Sequence, residues 1–152
     1  MRIQIEEAYD AYGAAVYRLA MTYLGRHADA EDVTQEVFLK LFSKSPDFRD
    51  SEHSKRWLLR VTANLCRDQL RSPRYNAVAL EDDYSISDPE LFGVADAILR
   101  LPETYKAAIH LHYYEGYSVA EAARILRLST SAVKMRLKRG RELLKLELEE
   151  DV

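Results

Sequence analysis

The chain has 152 residues, 47% of them apolar and 31% charged, with a net charge of −3. That length holds one ordinary domain or two very small ones, and the composition is that of a water-soluble globular protein. A single cysteine, Cys66, excludes an internal disulfide framework and a Cys-rich zinc site; no apolar run approaches the roughly 20 residues of a membrane span, and Met1 to Glu7 carry no apolar signal core, so the expectation is a cytoplasmic protein with no membrane insertion.

Few glycines and prolines interrupt the chain, and no strand-like alternation stands out, so the fold class expected is all-α. The first helix is predicted over Ile5 to Leu24, with an apolar stripe of Ile5, Ala8, Tyr9, Tyr12, Val16, Leu19, Ala20 and Tyr23 and Gly25 as its stop. A second is predicted from an N-cap at Asp29 to about Ser43, its core stripe being Ala30, Val33, Val37 and Leu41. Pro46 ends that segment, and Asp47 to Ser54 read as a polar loop. A third helix is predicted from about Lys55 to Arg71, with Leu58, Val61, Thr62, Leu65 and Gln69 on its core face and Pro73 closing it.

Residues 73–89 read as a linker: they carry Glu81, Asp82 and Asp83 and end on Asp88 and Pro89, and little in them could build a core. The domains expected are therefore 1–72 and 90–152. In the second, a helix is predicted to Arg100, and another opens near Pro102 with Glu103 in its first turn and stops at Gly116. Ser118 and Glu121 have the spacing of a capping box. A short helix to about Leu126 follows, then a turn at Arg127 and Leu128, and Ser129 caps a last helix running towards Glu149.

The mild net charge hides a segregation of sign: residues 53–74 sum to +5 and residues 124–146 to +7. Two basic blocks in an acidic background are the electrostatic footprint of a phosphate binder. The second block lies on the last helix of a capped helix, tight turn and basic amphipathic helix, the pattern of a helix-turn-helix. Val133, Leu137, Gly140 and Leu144 share one face of that helix; Ser131, Met135, Lys138, Arg139 and Glu142 lie roughly opposite, flanked by Lys134, Arg136 and Arg141. Outward residues near the start of such a helix reach base edges, while Lys and Arg hold phosphates. The plain competitor is a solvated face of a bundle helix.

The first basic block forms a stripe of Arg56, Arg60, Asn64, Arg67 and Arg71 on the third helix, with Trp57 at its edge. Guanidinium groups for the backbone, an amide for a base edge and a ring for stacking suit nucleic acid; solvation of the arginines and core packing of Trp57 are the alternatives. On the second helix Asp32, Gln35, Glu36, Leu39 and Ser43 face away from the core stripe. An apolar residue amid a polar rim suits a protein partner, although single exposed leucines are common. Catalysis has little support. His110 and His112 are two apart and face different ways on a helix, His27 and His53 have no cysteine nearby, and Cys66 has no evident base, so no metal and no cofactor are expected.

Taken together, these runs resemble a known family. YLGRHADAEDVTQEVFL, from Tyr23 to Leu39, resembles region 2 of sigma-70 family RNA polymerase sigma factors of the extracytoplasmic-function (ECF) type, and WLLRVTANLCRDQLR, from Trp57 to Arg71, resembles the promoter-melting helix of that region. Leu101 to Glu103, YYEGYSVAEAA from Tyr113 and SAVKMRLKRGR from Ser131 resemble region 4. The resemblance implies two small helical domains and a transcription initiation factor that carries core RNA polymerase to promoter DNA. It assigns Asp32, Gln35, Glu36, Phe38 and Leu39 to the polymerase's clamp helices. Lys55, Arg56, Trp57, Arg60, Asn64, Arg67 and Arg71 go to the minus-ten element, with Asn64 and the Ser51–Arg56 loop capturing a flipped base. Ser131, Lys134, Met135, Lys138, Arg139 and Arg141 go to the minus-thirty-five element. It also implies an anti-sigma factor as a partner and a linker that threads the polymerase. Arg127 stands where the family usually has Gly, and Ala132 and Met135 where small hydroxyl residues are common. A stand-alone helix-turn-helix regulator binding operators as a dimer is the alternative, and a purely interacting helical bundle a third reading.

Overall fold

A computed structural model describes residues 1–72 and 96–150. Every regular element among them is helical, and none of these helices is long and apolar enough to cross a membrane. The chain divides into two compact units, Met1–Glu81 and Asp82–Val152. The linker expected over 73–89, and the start of the helix expected from Glu90, lie outside the described residues.

The first unit is a three-helix bundle of α1 (Ile5–Leu24), α2 (His27–Lys44) and α3 (Ser51–Leu70). The α1 bounds are those the periodicity predicts, and Gly25 ends the helix at φ 71° with its N–H donated to the Met21 carbonyl, a left-handed cap that costs glycine nothing. Asp29 does not cap α2. The helix begins two residues earlier, at His27, and Asp29 sits in its first turn 3.6 Å from the buried Arg26 guanidinium, where the positive end of the helix dipole favours a carboxylate. The loop expected over Asp47–Ser54 is shorter than the residue types suggest. Asp50 accepts from the His53 N–H at 2.7 Å and starts α3 at Ser51; a satisfied N-cap recruits the next four polar residues into the helix.

The core is made by Val16, Leu19, Ala20 and Leu24 of α1, Ala30, Val33, Val37 and Leu41 of α2, and Leu58, Leu59, Thr62, Ala63 and Cys66 of α3. On α3 this seam is rotated from the expected one. Val61, Leu65 and Gln69 are only half-buried, whereas Leu59, Ala63 and Cys66 are sealed. Thr62 is buried because its hydroxyl donates to the Leu58 carbonyl at 2.7 Å, which satisfies the polar group within its own helix. Tyr9 departs from the expected stripe of α1 and is 56% exposed.

In the second unit residues 96–100 are helical, and α4 (Glu103–Ile109) follows Pro102. α4 widens into a π-helical segment, His110–Tyr114, that the residue types did not announce. The Glu115 N–H donates to the His110 carbonyl at 3.0 Å, and the buried His110 and Glu115 side chains meet at 3.3 Å. Gly116, at φ 76°, ends the segment. α5 (Val119–Leu126) opens on the complete capping box: the Glu121 N–H donates to Ser118 Oγ and the Ser118 N–H to Glu121 Oε1, each at 3.1 Å. Arg127 takes the left-handed turn at φ 58°. Ser129 Oγ then accepts from the Ala132 N–H at 3.1 Å, and α6 (Thr130–Glu150) begins.

Candidate functional site

The helix-turn-helix is built from α5 and α6, and α4 holds it from behind. Ala122 and Ala123 are buried on α5, and their small side chains allow close approach of its neighbours. Gly140 does the same on α6: a Cβ there would lie 2.9 Å from Ile109 Cγ1 and 3.4 Å from Tyr105 Cβ. Two side chains tether α6 to the α4 segment. Arg136 donates to the Thr104 carbonyl at 3.3 Å and Arg141 to the Tyr113 hydroxyl at 2.9 Å.

With Val133, Leu137 and Gly140 buried, Ser131, Lys134, Met135, Lys138, Arg139 and Arg141 are all exposed. Five of these six lie on the outward half of α6; Arg141 stands at the flank against Tyr113. Arg139 also pairs with Glu142 at 3.2 Å, so a phosphate or base must compete with a carboxylate for it. Lys134, Lys138, Arg139 and Arg141 thus give this face a concentration of exposed positive charge, and a cationic face of this kind attracts polyanions in a salt-dependent way.

On α3 the basic stripe stands opposite the buried seam. Lys55, Arg56, Trp57, Arg60, Asn64 and Arg67 are half-buried and Arg71 is exposed. Ser51–Arg56, expected as a loop, are the first turns of this helix, so any base captured there meets helical backbone. Trp57 meets Phe48 edge-on, ring centres 5.8 Å apart, and is half-buried, so it both packs on the bundle and keeps part of its surface accessible. The Arg67 guanidinium donates to Asn64 Oδ1. That bond occupies the amide oxygen and leaves the NH2 group as the donor that Asn64 can offer to another partner.

On α2 the exposed side chains are Asp32, Gln35, Glu36 and Leu39, the last 64% exposed. Phe38 is a correction. It is 4% exposed and packs edge-on against Tyr9 at 5.2 Å, so it supports the surface from beneath. The residue the sequence reading missed is Phe42, 71% exposed. Its signal was present, since Phe42 lies one turn from Leu39 on the outward side of α2. Ile5, Tyr9, Phe38 and Leu39 line an apolar groove of about 390 Å³ between α1 and α2, with Glu6, Asp10 and Gln35 at its rim.

Comparison with known proteins gives these faces a context. Residues 8–74 match sigma-70 region 2 and residues 91–144 match sigma-70 region 4. The ECF RNA polymerase sigma factor SigL of Mycobacterium tuberculosis is 32% identical over 154 residues, covering 93% of this chain and 87% of the relative. SigW of Bacillus subtilis is 28% identical over 160 residues, covering 91% and 86%. Among solved structures, the sigma factor RpoE in complex with the anti-sigma factor NepR from Bartonella quintana has a similar fold (TM-score 0.80, 23% identity, 97% of this chain and 98% of that one). CnrH in complex with the cytosolic domain of CnrY is similar at a TM-score of 0.72 and 27% identity, covering 97% and 89%. The chain belongs to the sigma-70 family of RNA polymerase sigma factors, in its extracytoplasmic-function branch, and is a transcription initiation factor that directs polymerase to promoters.

Proposed function

We propose that the chain divides this work between three faces. α2 grips core RNA polymerase through Asp32, Gln35, Glu36 and Leu39, with Phe42 added and Phe38 acting from below. α3 meets the minus-ten element: Lys55, Arg56, Arg60, Arg67 and Arg71 hold the backbone, Trp57 stacks at the edge of the melted strand, and Asn64 offers its amide to a flipped base. Extruding a base costs a few kcal/mol, which contacts of this kind must offset. α6 lies in the major groove of the minus-thirty-five element, with Ser131, Lys134, Met135, Lys138 and Arg139 towards the bases and Arg141 on a phosphate. The functional modules are 1–72 and 90–152, and 73–89 is the tether between them.

The observation that carries this reading is the burial pattern of α6. A completely capped helix-turn-helix exposes its basic half and seals the other half against α4 and α5. A stand-alone operator-binding regulator needs only that module, and the match of residues 8–74 to region 2 disfavours it. A purely interacting bundle has no use for a basic recognition helix. In this reading the protein is a specificity subunit with no catalysis of its own, working in the cytoplasm where polymerase is. Since the similar RpoE structure is a sigma factor bound to the anti-sigma factor NepR, an anti-sigma factor is proposed as a partner here.

The test is promoter opening by the reconstituted holoenzyme. Asn64→Ala should leave duplex binding intact and slow the permanganate reactivity of unpaired minus-ten thymines by an order of magnitude or so, the scale of one lost charge-free base contact. Opening at the unmodified rate would remove Asn64 from base capture.

A further inference from the structure

Met135 is 73% exposed, and it is the one large apolar side chain among the exposed residues of the first three turns of α6. At 3.6 residues per turn it stands across the helix from the seam of Val133, Leu137 and Gly140. Ser131 lies one turn before it and Lys138 and Arg139 one turn after. A scattered exposed methionine is ordinary; one at the centre of a cationic, groove-facing surface is not. A thioether has nothing to give a phosphate and no hydrogen to donate to a base edge. The major-groove edges of the four base pairs carry one aliphatic group, the C5-methyl of thymine. The unbranched, polarisable Met side chain adapts its rotamers to such a contact.

We propose that Met135 reads thymine: its Sγ–Cε end packs on the C5-methyl of one thymine in the upstream promoter element, so the chain prefers T·A to C·G at that pair. This rests on α6 being the base-reading helix. Lys134, Lys138 and Arg139 set the register of the helix on the duplex, and Met135 supplies discrimination at a position where a hydroxyl side chain would instead favour a polar edge.

The test uses holoenzyme made from the full chain and core polymerase. The preferred upstream duplex is selected from a random library, and each thymine is then replaced in turn by deoxyuridine, which lacks only the methyl. One replacement should weaken binding about fourfold, the factor that burial of one methyl group corresponds to, and 5-methylcytosine at that site should bind better than cytosine by a similar factor. Met135→Ala should bind thymine and deoxyuridine duplexes alike, and Met135→Leu should keep the preference. Equal affinity for every deoxyuridine duplex, or a preference that survives in Met135→Ala, overturns the inference while leaving α6 as a base reader. Failure to select any duplex would remove that role from α6, and the inference would fall with it.

Discussion

Gly140 offers the sharpest single perturbation of the helix-turn-helix. In an exposed helix, Gly→Ala would stabilise by about 1 kcal/mol through backbone entropy. Here the new Cβ would stand 2.9 Å from Ile109 Cγ1 and 3.1 Å from its Cδ1, well inside the roughly 3.5–4.0 Å optimum for two carbons. Ile109 is 2% exposed and β-branched, so it has little room or rotamer freedom to give way. Overpacking of this kind costs about 1–3 kcal/mol, which exceeds the propensity gain, and Gly140→Ala should destabilise the second unit by about 1 kcal/mol. The sign should reverse once Ile109 is truncated. Ile109→Ala alone should cost about 2–5 kcal/mol, and in that background alanine at position 140 should stabilise by up to about 1 kcal/mol. Chemical denaturation of the full chain, followed by far-UV circular dichroism, measures all four states of this cycle. Trp57, the only tryptophan, reports the first unit by fluorescence, and its transition should not move. A stabilising Gly140→Ala in the otherwise unchanged chain would refute the argument that Gly140 exists to let α6 approach α4.

Arg127 holds the left-handed turn at φ 58°, a conformation that costs a non-glycine residue about 1–2 kcal/mol. Arg127→Gly should raise stability by several tenths of a kcal/mol to about 1 kcal/mol, the gain being reduced by the entropy of glycine in the unfolded chain; thermal denaturation reads it, and a loss of stability would mean that the arginine side chain does more than occupy the turn. Glu142→Gln removes the carboxylate 3.2 Å from Arg139. Exposed pairs of this kind contribute about 0.2–1 kcal/mol, so duplex affinity should rise by a factor of up to about five in fluorescence anisotropy at fixed salt. Unchanged or weaker binding would place Arg139 away from DNA.

The fold was legible wherever a residue type has one dominant structural use. Gly25 and Gly116 marked stops, Ser118 with Glu121 announced a capping box, and the three-four spacing in α1 set its bounds. It was illegible where satisfaction of polar groups decided the outcome. Asp50 caps α3 and draws Ser51 to Ser54 out of the expected loop, and Thr62 buries a hydroxyl by bonding it to its own helix. The π-helical widening at His110–Tyr114 depends on backbone and side-chain fit that no local spacing encodes. The basic and acidic faces were readable from charge and periodicity, because charged side chains at helical spacing opposite an apolar stripe have to face water. Phe38 and Phe42 were not separable by residue type. Phe42 sits further round the helix, one turn from Leu39, and is open, while Phe38 lies nearer the core stripe and is covered by Tyr9.

The division of labour between faces is tested most directly with core polymerase. Purified core enzyme is mixed with the unmodified chain, with Leu39→Ala and with Phe42→Ala; binding is measured by pull-down and output by run-off transcription on a promoter library. Both substitutions lie at exposed positions and should leave the fold intact. Apolar anchors at a small interface each contribute about 1–3 kcal/mol, so each variant should lose about ten- to a hundredfold in polymerase affinity and transcript in proportion. Its helical content and its salt-dependent DNA binding should remain unchanged. Saturable binding by the unmodified chain with sequence-restricted transcripts, and this loss in both variants, is the result the account predicts. Normal polymerase binding by both variants would contradict the placement of the polymerase interface on α2.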